Sequence, residues 1–318
     1  MAVYTQVSAE ALARFLTRFD HGDLVSAKGI AEGVENSNYL VDTTTGRFIL
    51  TLYEKRVSVD DLPFFMAMLD HLAARGNPVP RALPDRDGMI IHTLEGRPAC
   101  LIEFLTGVSV SHPTPAQAHA AGAAMGRMHA GLTDFNGQRP NALGPAGWSD
   151  LLARCGRDLD SIAPGLFERV SSSLGQLLAA WPSGLPHAAI HADLFPDNVL
   201  MLGDRVTGLI DFYFACTDIR AYDLAVMHSA WAFDALGTPC EPAVGTALVA
   251  GYDATFGLSP EERAALATLA QGACIRFLLT RAWDWLNTPA DALVTRKDPL
   301  AYLRRLDHYE QHGSTLFA

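Results

Sequence analysis

The chain has 318 residues, of which 49% are hydrophobic and 19% charged, and its formal net charge at pH 7 is −11. This length is sufficient for two domains, because single hydrophobic cores stop growing at roughly 250–300 residues. The acidic balance argues against nucleic acid as a partner, since duplex binding needs a basic face that replaces counterions.

The first 104 residues are predicted to form a small β-rich lobe. Apolar residues at helical spacing follow Ser8 and end at Gly22, and a second helical pattern runs from Val57 to Arg75. The remaining segments are typical of strands separated by turns: Leu24 to Ile30, Asn38 to Asp42, Arg47 to Tyr53, Met89 to Leu94 and Arg97 to Phe104. We expect a five-stranded antiparallel sheet with one inserted helix.

Residues 105–318 are predicted to form a larger helical lobe. The expected helices run from Thr114 to Leu132, Trp148 to Ile162, Pro164 to Trp181, Ala221 to Leu236, Val244 to Phe256, Pro260 to Leu286 and Pro299 to His312. One strand hairpin interrupts them, at Val199 to Leu202 and Val206 to Ile210. The expected fold class is α+β and bilobal, with a cleft between the lobes that is suited to a ligand.

The most informative motif is H-x-D-x-x-x-x-N, formed by His191, Asp193 and Asn198, with Asp211 following the hairpin. Phosphoryl transfer from Mg·ATP to a hydroxyl needs metal ligands and a group that orients the attacking oxygen. An amide and a carboxylate are hard oxygen ligands that suit Mg²⁺. Asp193, with a reference pKa of about 3.9, is the candidate catalytic base. The alternative is a loop in which these residues are only caps.

A polar loop between the first two strands contains Gly33, Asn36 and Ser37. Such a turn can direct backbone N–H groups and side-chain donors at phosphate oxygens. An ordinary hairpin turn explains the same residues equally simply, so the loop depends on the downstream motif for its interpretation.

Together these segments resemble the aminoglycoside-phosphotransferase-like small-molecule kinases. The matching stretches share the family order: Gly33 to Leu40, Gly76 to Pro80, Met125 to Ala130, His191 to Asn198, Ile210 to Phe212 and Asp218 to Ala225. Within that family, Phe48 to Arg56, Asp61 to Phe65 and Arg276 to Trp285 most resemble the bacterial branch that phosphorylates L-homoserine.

The resemblance implies a protein-kinase-like fold and transfer of the γ-phosphate of ATP to the side-chain hydroxyl of L-homoserine. It implies that Asp193 is the base and that Asn198 and Asp211 bind Mg²⁺. It also implies that the backbone from Glu103 to Leu105 holds adenine.

The third strand departs from the kinase pattern. Thr51 stands where a phosphate-binding cation is expected, and Phe65 stands near the position of its glutamate partner. Because the cation and its glutamate partner are both absent, neither is left as an unpaired charge. Lys55 shares a strand face with Thr51 if the strand continues, and it is the candidate replacement, with a solvated strand-end charge as the alternative.

An amino-acid acceptor needs a partner for its carboxylate and one for its ammonium group. Arg276, Arg281 and Asp284 lie on one predicted helix and are candidates. The two arginines are well separated around the helix, and Asp284 is placed to pair with Arg281, so a packing face with a local ion pair is the competing interpretation.

Supporting roles are expected for several residues near the motif. His191 is expected to orient the catalytic loop through ring hydrogen bonds, and His129 to lie beneath the site. Asp218 and Asp223 are expected to fix Arg220 and the loop.

Two other functions remain open. One is a kinase for another small alcohol: choline, ethanolamine, methylthioribose or an aminoglycoside. The other is a nucleotide-binding pseudokinase, which the missing third-strand cation favours and the retained Asp193, Asn198 and Asp211 disfavour.

The five cysteines are scattered and show no C-x-x-C spacing, which predicts free thiols in a reducing compartment. No signal peptide or membrane-length apolar run is evident. The sequence therefore favours a cytoplasmic protein without a membrane partner.

Overall fold

The computed structural model describes residues 5–30, 36–54, 57–288 and 296–317. The chain divides into two compact units, Met1–Thr106 and Gly107–Ala318. The domain boundary expected between residues 104 and 105 remains a prediction.

Unit 1, Met1–Thr106, is built on the predicted five-stranded sheet. Its strands are β1 (Leu24–Ile30), β2 (Ser37–Thr43), β3 (Arg47–Leu52), β4 (His92–Leu94) and β5 (Arg97–Glu103). They pair antiparallel in the order β1-β2-β3-β5-β4. The predicted sheet is thus confirmed in strand number and direction.

Two helices pack in unit 1. Helix α1 (Ala9–Leu16) begins where the Ser8 side chain accepts a hydrogen bond from Ala11 N, which satisfies a helix-end donor. Its buried face lies against the sheet and forms the core with β2 and β3. Helix α2 (Leu62–Ala74) starts later than the predicted Val57, because Pro63 occupies its first turn and a short 3-10 turn precedes it.

Unit 2, Gly107–Ala318, is mainly helical. Its helices are α3 (Pro115–Gly131), α4 (Pro145–Cys155), α5 (Leu166–Ala180), α6 (Arg220–Trp231), α7 (Pro242–Thr255), α8 (Pro260–Asn287) and α9 (Leu300–Leu316). Four of them begin with proline in the first turn, where the missing N–H costs no helical hydrogen bond. The predicted helices are all present. The one expected from Trp148 to Ile162 ends at Cys155, where a 3-10 segment (Gly156–Ser161) begins at a glycine with positive φ, and the prediction of its end was wrong.

Four short strands surround the catalytic motif in unit 2. The predicted hairpin is β7 (Val199–Leu202) and β8 (Arg205–Leu209). The expectation that this hairpin is the sole strand interruption was wrong, because β6 (His187–Ile190) pairs with β9 (Cys216–Ile219). Strands of four residues are too short for an alternating pattern to distinguish them from loop.

Helices α3 and α7 approach each other closely through glycine. A Cβ at Gly122 would lie 2.0 Å from the Leu248 carbonyl oxygen, and one at Gly251 would lie 2.0 Å from that of His119. Only glycine permits this backbone contact. The close packing fixes the helix that carries His129 beneath the motif.

In the described part of the chain, no helix combines the length and the apolar character needed to cross a membrane.

Candidate active site

The β7–β8 hairpin places Asn198 and Asp211 at the same end of the two strands. Val199 pairs with Leu209, and Ile210 N donates to Asn198 O at 3.0 Å. Asn198 is therefore opposite the residue that immediately precedes Asp211. The register brings an amide and a carboxylate together, which is a donor set that fits Mg²⁺.

The Asn198 side chain is oriented by Asp193. Its amide nitrogen donates to the Asp193 main-chain oxygen at 2.7 Å and lies 3.4 Å from Asp193 Oδ2. Because the NH₂ group is used in this way, the amide oxygen is the atom available to a cation. No cluster of three or more His, Cys, Asp or Glu residues suited to a metal occurs in the described residues. A Mg²⁺ ion here would take further ligands from phosphate and water.

Asp193 is the candidate base, and its carboxylate is 16% exposed. Burial raises the pKa of Asp193 well above its ordinary value, and the nearby carboxylates of Asp211 and Asp197 raise it further. The Arg276 guanidinium opposes that rise. A carboxylate with raised proton affinity is a stronger general base once it is ionised.

Asp223, at the start of α6, fixes the backbone of the catalytic loop. Its Oδ2 accepts from His191 N at 2.8 Å and from His129 Nε2 at 3.0 Å, and its Oδ1 accepts from Ala192 N at 2.7 Å. Burial opposes ionisation, but these hydrogen bonds outweigh it and hold the pKa of Asp223 below its ordinary value. The predicted role of Asp223 as a support for the loop is confirmed.

The His191 ring connects the two functional loops. Its Nε2 contacts Ile210 O at 3.0 Å, and its Nδ1 contacts Asp193 N at 3.2 Å. Burial lowers the pKa of His191, so the ring is neutral, with Nε2 as the donor and Nδ1 as the acceptor. The predicted orienting role is confirmed: one imidazole joins the segment before Asp211 to the backbone of Asp193.

Two residues of the site have left-handed backbone conformations. Ala192 has φ 63° and Asp211 has φ 66°. Non-glycine residues seldom adopt this region, and such strain persists only where neighbouring contacts impose it. The hydrogen bond from Ala192 N to Asp223 and that from His191 to Ile210 O hold these two positions.

Arg276 on α8 lies beneath the catalytic loop and is 2% exposed. Its Nη1 donates to the Ala192 carbonyl oxygen, and its Nη2 lies 3.7 Å from Asp193 Oδ1. The sequence made Arg276 a candidate for acceptor binding, with a packing face as the alternative. In the structure its guanidinium is enclosed and lies beside the base, and the acceptor contact stays a prediction. Sequence spacing gave no signal of this contact, because α8 is distant from the motif along the chain.

Arg281 and Asp284 lie one to two turns further along α8, and both are half-buried. The Arg281 guanidinium stacks 4.5 Å from the ring centre of Tyr302 and contacts the Asp298 carbonyl oxygen at 3.4 Å. No carboxylate forms an ion pair with Arg281 within the described ranges. Burial lowers the pKa of Arg281, and the negative charge of Asp193 opposes this lowering. Arg281 is therefore a half-buried cation that is attracted electrostatically to the carboxylate of Asp193.

Other supports were not foreseen. The predicted partner of Arg220 was wrong: its guanidinium binds Glu262 at 2.7 Å, and not Asp218 or Asp223. Ser259 and Glu262 form a capping box at the start of α8, a pattern visible in the sequence that could have predicted the position of Glu262. Trp231 Nε1 donates to Leu194 O at 3.0 Å and supports the catalytic loop from α6.

In unit 1, the side chains of Asn36 and Ser37 are buried and bound to Glu54. Asn36 Oδ1 accepts from Glu54 N at 3.3 Å, and Ser37 Oγ donates to Glu54 Oε1 at 2.8 Å. Both side chains fix the start of β2 to the end of β3, and the phosphate-donor role expected of them stays a prediction. The predicted nucleotide-binding residues Gly33 and Lys55 lie outside the described residues.

Thr51 and Phe65 occupy the positions where a kinase cation and its glutamate partner were expected. Thr51 Oγ1 donates to Asn38 Oδ1 at 2.8 Å, and Phe65 is fully buried. The Glu103 carboxylate binds Arg81 at 2.8 Å, while Leu105 is half-buried after the end of β5. The adenine contact predicted for the backbone from Glu103 to Leu105 stays a prediction.

A sequence model of the Phosphotransferase enzyme family matches residues 26–267. The chain is 52% identical to a homoserine kinase of Gluconobacter oxydans over 312 residues, which cover 98% of each chain. It is 50% identical to a homoserine kinase of Rhizobium etli, covering 99% of this chain and 98% of the relative.

Solved structures share the fold at low sequence identity. A choline kinase from Cryptosporidium parvum superposes with a TM-score of 0.71 at 14% identity, covering 97% of this chain and 96% of that one. A spectinomycin phosphotransferase in complex with ADP and spectinomycin gives 0.70 at 12% identity, covering 96% and 95%. The expected α+β kinase-like fold is confirmed, and the chain belongs to the Phosphotransferase enzyme family.

Proposed function

We propose that the protein transfers the γ-phosphoryl group of ATP to the side-chain hydroxyl of L-homoserine and forms O-phospho-L-homoserine. The observation that carries the proposal is that the Asn198 amide binds Asp193, while the register of β7 and β8 places Asp211 next to the residue opposite Asn198. Similarity to homoserine kinases along almost the whole chain supports the choice of acceptor. The product is a precursor for threonine, which fits a cytoplasmic biosynthetic enzyme.

In this reaction Asp193 accepts a hydrogen bond from the homoserine hydroxyl and takes its proton as the new P–O bond forms. The bond from the γ-phosphorus to the bridging oxygen of ATP breaks, and ADP leaves with that electron pair. Asn198 and Asp211 would hold Mg²⁺, which supplies charge neutralisation at the phosphates when it is bound. Arrangement of reactants in this way is the principal contribution that a protein makes to phosphoryl transfer.

For unit 1 we propose that main-chain groups of the loop containing Gly33 and those from Glu103 to Leu105 bind the nucleotide. Lys55 is the proposed substitute for the third-strand cation. The assignment of Lys55 is tested by Lys55→Ala and a measurement of the dissociation constant for ATP, which should rise.

The acceptor is tested by measuring ADP release with L-homoserine, choline, ethanolamine, methylthioribose and an aminoglycoside, each with Mg·ATP. We expect turnover with L-homoserine to exceed that with the others, and ³¹P NMR to detect a phosphomonoester. Preference for choline would replace the amino-acid acceptor. Absence of turnover with every alcohol would favour the pseudokinase.

Asp211→Asn is expected to raise the Mg²⁺ concentration for half-maximal activity by about tenfold or more. The substitution removes the carboxylate charge from the proposed metal site, and Mg²⁺ depends on carboxylate ligands. A titration of activity with MgCl₂ measures the change. Asp197→Asn is the control, because Asp197 is an exposed acid on the neighbouring loop that carries Asp193. Equal metal dependence in both variants would remove Asp211 from the metal site.

We propose that Arg281 binds the carboxylate of L-homoserine and that Asp284 binds its ammonium group. Arg281 has donors that no carboxylate of the described residues occupies, while Asp193 lies within its electrostatic reach. A guanidinium fork matches a carboxylate with two hydrogen bonds.

Arg281→Met is expected to raise KM for L-homoserine by about 10- to 100-fold, which corresponds to the loss of one charge-assisted contact. KM for ATP should change little. The comparison acceptor is 3-aminopropan-1-ol, which is L-homoserine without its carboxylate. In the wild-type protein L-homoserine should be strongly preferred, and in Arg281→Met the preference should largely disappear. An undiminished preference would place the carboxylate elsewhere.

A further inference from the structure

We propose that Arg276 is a positioning residue that acts through Asp193, holding the catalytic carboxylate oriented toward the acceptor hydroxyl. The inference rests on the phosphoryl transfer proposed above and assigns Arg276 a role distinct from acceptor binding.

The first observation is the contact itself. Arg276 Nη2 lies 3.7 Å from Asp193 Oδ1, while Asp193 Oδ2 faces the Asn198 amide at 3.4 Å. One carboxylate oxygen of Asp193 thus faces the Arg276 guanidinium, and the other faces the Asn198 amide. A separation of 3.7 Å is too long for a hydrogen bond but supplies Coulomb attraction in a buried setting. These two contacts fix the direction of the carboxylate from both of its oxygens.

The second observation is the backbone under the base. Arg276 Nη1 donates to the carbonyl oxygen of Ala192, the residue with φ 63° that directly precedes Asp193. The opposite side of that residue, its N–H, is bound to Asp223 at 2.7 Å. Ala192 is therefore held at both its N–H and its carbonyl group. The strained conformation that directs Asp193 requires such contacts from two sides.

The third observation is the enclosure of the guanidinium. It lies 5.3 Å from the ring centre of Phe214 and 4.5 Å from that of Phe277, and the side chain is 2% exposed. Phe214 follows Asp211 in the chain, while Phe277 is next to Arg276 on α8. The two rings cover the guanidinium, in agreement with its low exposure. A buried charge is costly without a partner of opposite charge. The Asp193 carboxylate, 3.7 Å away, is the partner of the Arg276 guanidinium.

These contacts predict a loss in kcat and not in binding. In Arg276→Met, which keeps much of the apolar stem, kcat with L-homoserine should fall by about 100-fold, within the range that general-base steps contribute. KM for L-homoserine and for ATP should remain within about threefold. Arg276→Lys should recover part of kcat, because an ammonium group retains the charge but not the fork. Guanidinium added to Arg276→Ala should restore activity more than the same concentration of urea.

Arg305 provides a matched control. It is also a buried arginine, 3% exposed, that stacks 4.3 Å from the Tyr302 ring centre and donates to a backbone carbonyl, that of Asp234, at 2.7 Å. It has no contact with Asp193. Arg305→Met should reduce the free energy of unfolding, yet kcat per folded molecule should stay within about threefold of wild type.

Three kinetic outcomes would overturn the inference: an unchanged kcat in folded Arg276→Met, an equal loss in Arg305→Met, or a rise in KM for L-homoserine with kcat preserved. The last would return Arg276 to the acceptor site. If Arg276→Met does not fold, Arg276→Lys and Arg276→Gln carry the same comparison.

A crystal structure of Arg276→Met separates this inference from the proposed function. The Asp193 carboxylate and the Ala192 carbonyl are expected to move from their wild-type positions. Superposition of both residues on the wild-type protein would refute the positioning role even if no alcohol were phosphorylated. Turnover of an acceptor other than L-homoserine, with the expected loss in Arg276→Met, would refute the acceptor and leave the positioning role intact.

Discussion

Asp193→Ala is expected to reduce kcat by about 10³-fold or more while the dissociation constant for ATP stays within a few-fold of wild type. General-base groups contribute typically 10²- to 10⁴-fold to rate, and Asp193 also fixes Asn198 through its carboxylate. Nucleotide affinity should persist, because Asp193 is proposed to contact the acceptor and not ATP. ADP release measures the first quantity and titration calorimetry the second.

The matched control is Asp197→Ala, which removes an exposed acid from the same loop. It should retain turnover within about threefold. Asp193→Asn adds an isosteric test, because it keeps the shape of the side chain and removes its basicity. Wild-type turnover in either Asp193 variant would show that another group accepts the proton.

The local order of the site could be predicted because the residues that form it are close in sequence. His191, Asp193 and Asn198 lie in one short loop, and the hairpin that follows fixes where Asp211 falls. Strand register then places the two oxygen donors together, since pairing of Val199 with Leu209 determines the neighbours of both ends. Periodicity and turn residues are sufficient for such an inference.

The supports of the site could not be predicted, because they come from distant helices. Arg276 reaches Asp193 from α8, and Glu262 reaches Arg220 from the start of the same helix. Spacing along α8 states which residues share a face, but not which loop that face contacts. Helical periodicity therefore groups Arg276 with Arg281, but it does not distinguish the arginine under the base from the one beside Tyr302.

The directions of the Asn36 and Ser37 side chains in unit 1 also could not be predicted from the sequence. Asn36 and Ser37 are polar residues in a turn, a pattern that fits exposed donors as well as internal ones. In the structure Asn36 Oδ1 accepts from Glu54 N and Ser37 Oγ donates to the Glu54 carboxylate. Glu54 follows β3 and is adjacent to them because β2 and β3 pair. The polar character of a loop residue did not reveal whether its hydrogen bonds are made to a ligand or to the protein.

Asp223→Asn is expected to lower the free energy of unfolding by about 3 kcal/mol or more at neutral pH, as is typical when one partner of a buried charged network is removed. The Asp223 oxygens accept from His191 N and Ala192 N at 2.8 Å and 2.7 Å. An amide in the same place would turn its NH₂ toward one of these donors. The loop that carries Asp193 should then shift, so kcat should fall together with stability.

The dependence on pH identifies the charge as the cause. The folded-state pKa of Asp223 lies below its unfolded value of about 3.9. The stabilisation is therefore complete above the unfolded pKa and is lost as the pH falls through the folded pKa. Urea unfolding at neutral pH and at successive values below about pH 4 should show the gap between wild type and Asp223→Asn narrowing with acidity.

Asp218→Asn is the control for this measurement. Asp218 is a buried acid that accepts from Asn141 Nδ2 at 2.6 Å and from Ile219 N at 2.7 Å, and an asparagine keeps one acceptor oxygen for one of these donors. Its cost should be nearer 1 kcal/mol, the usual net value of one hydrogen bond, and kcat should be retained. If Asp223→Asn costs no more than Asp218→Asn, or if the gap persists unchanged into acid, then the ionised Asp223 does not hold the loop in place.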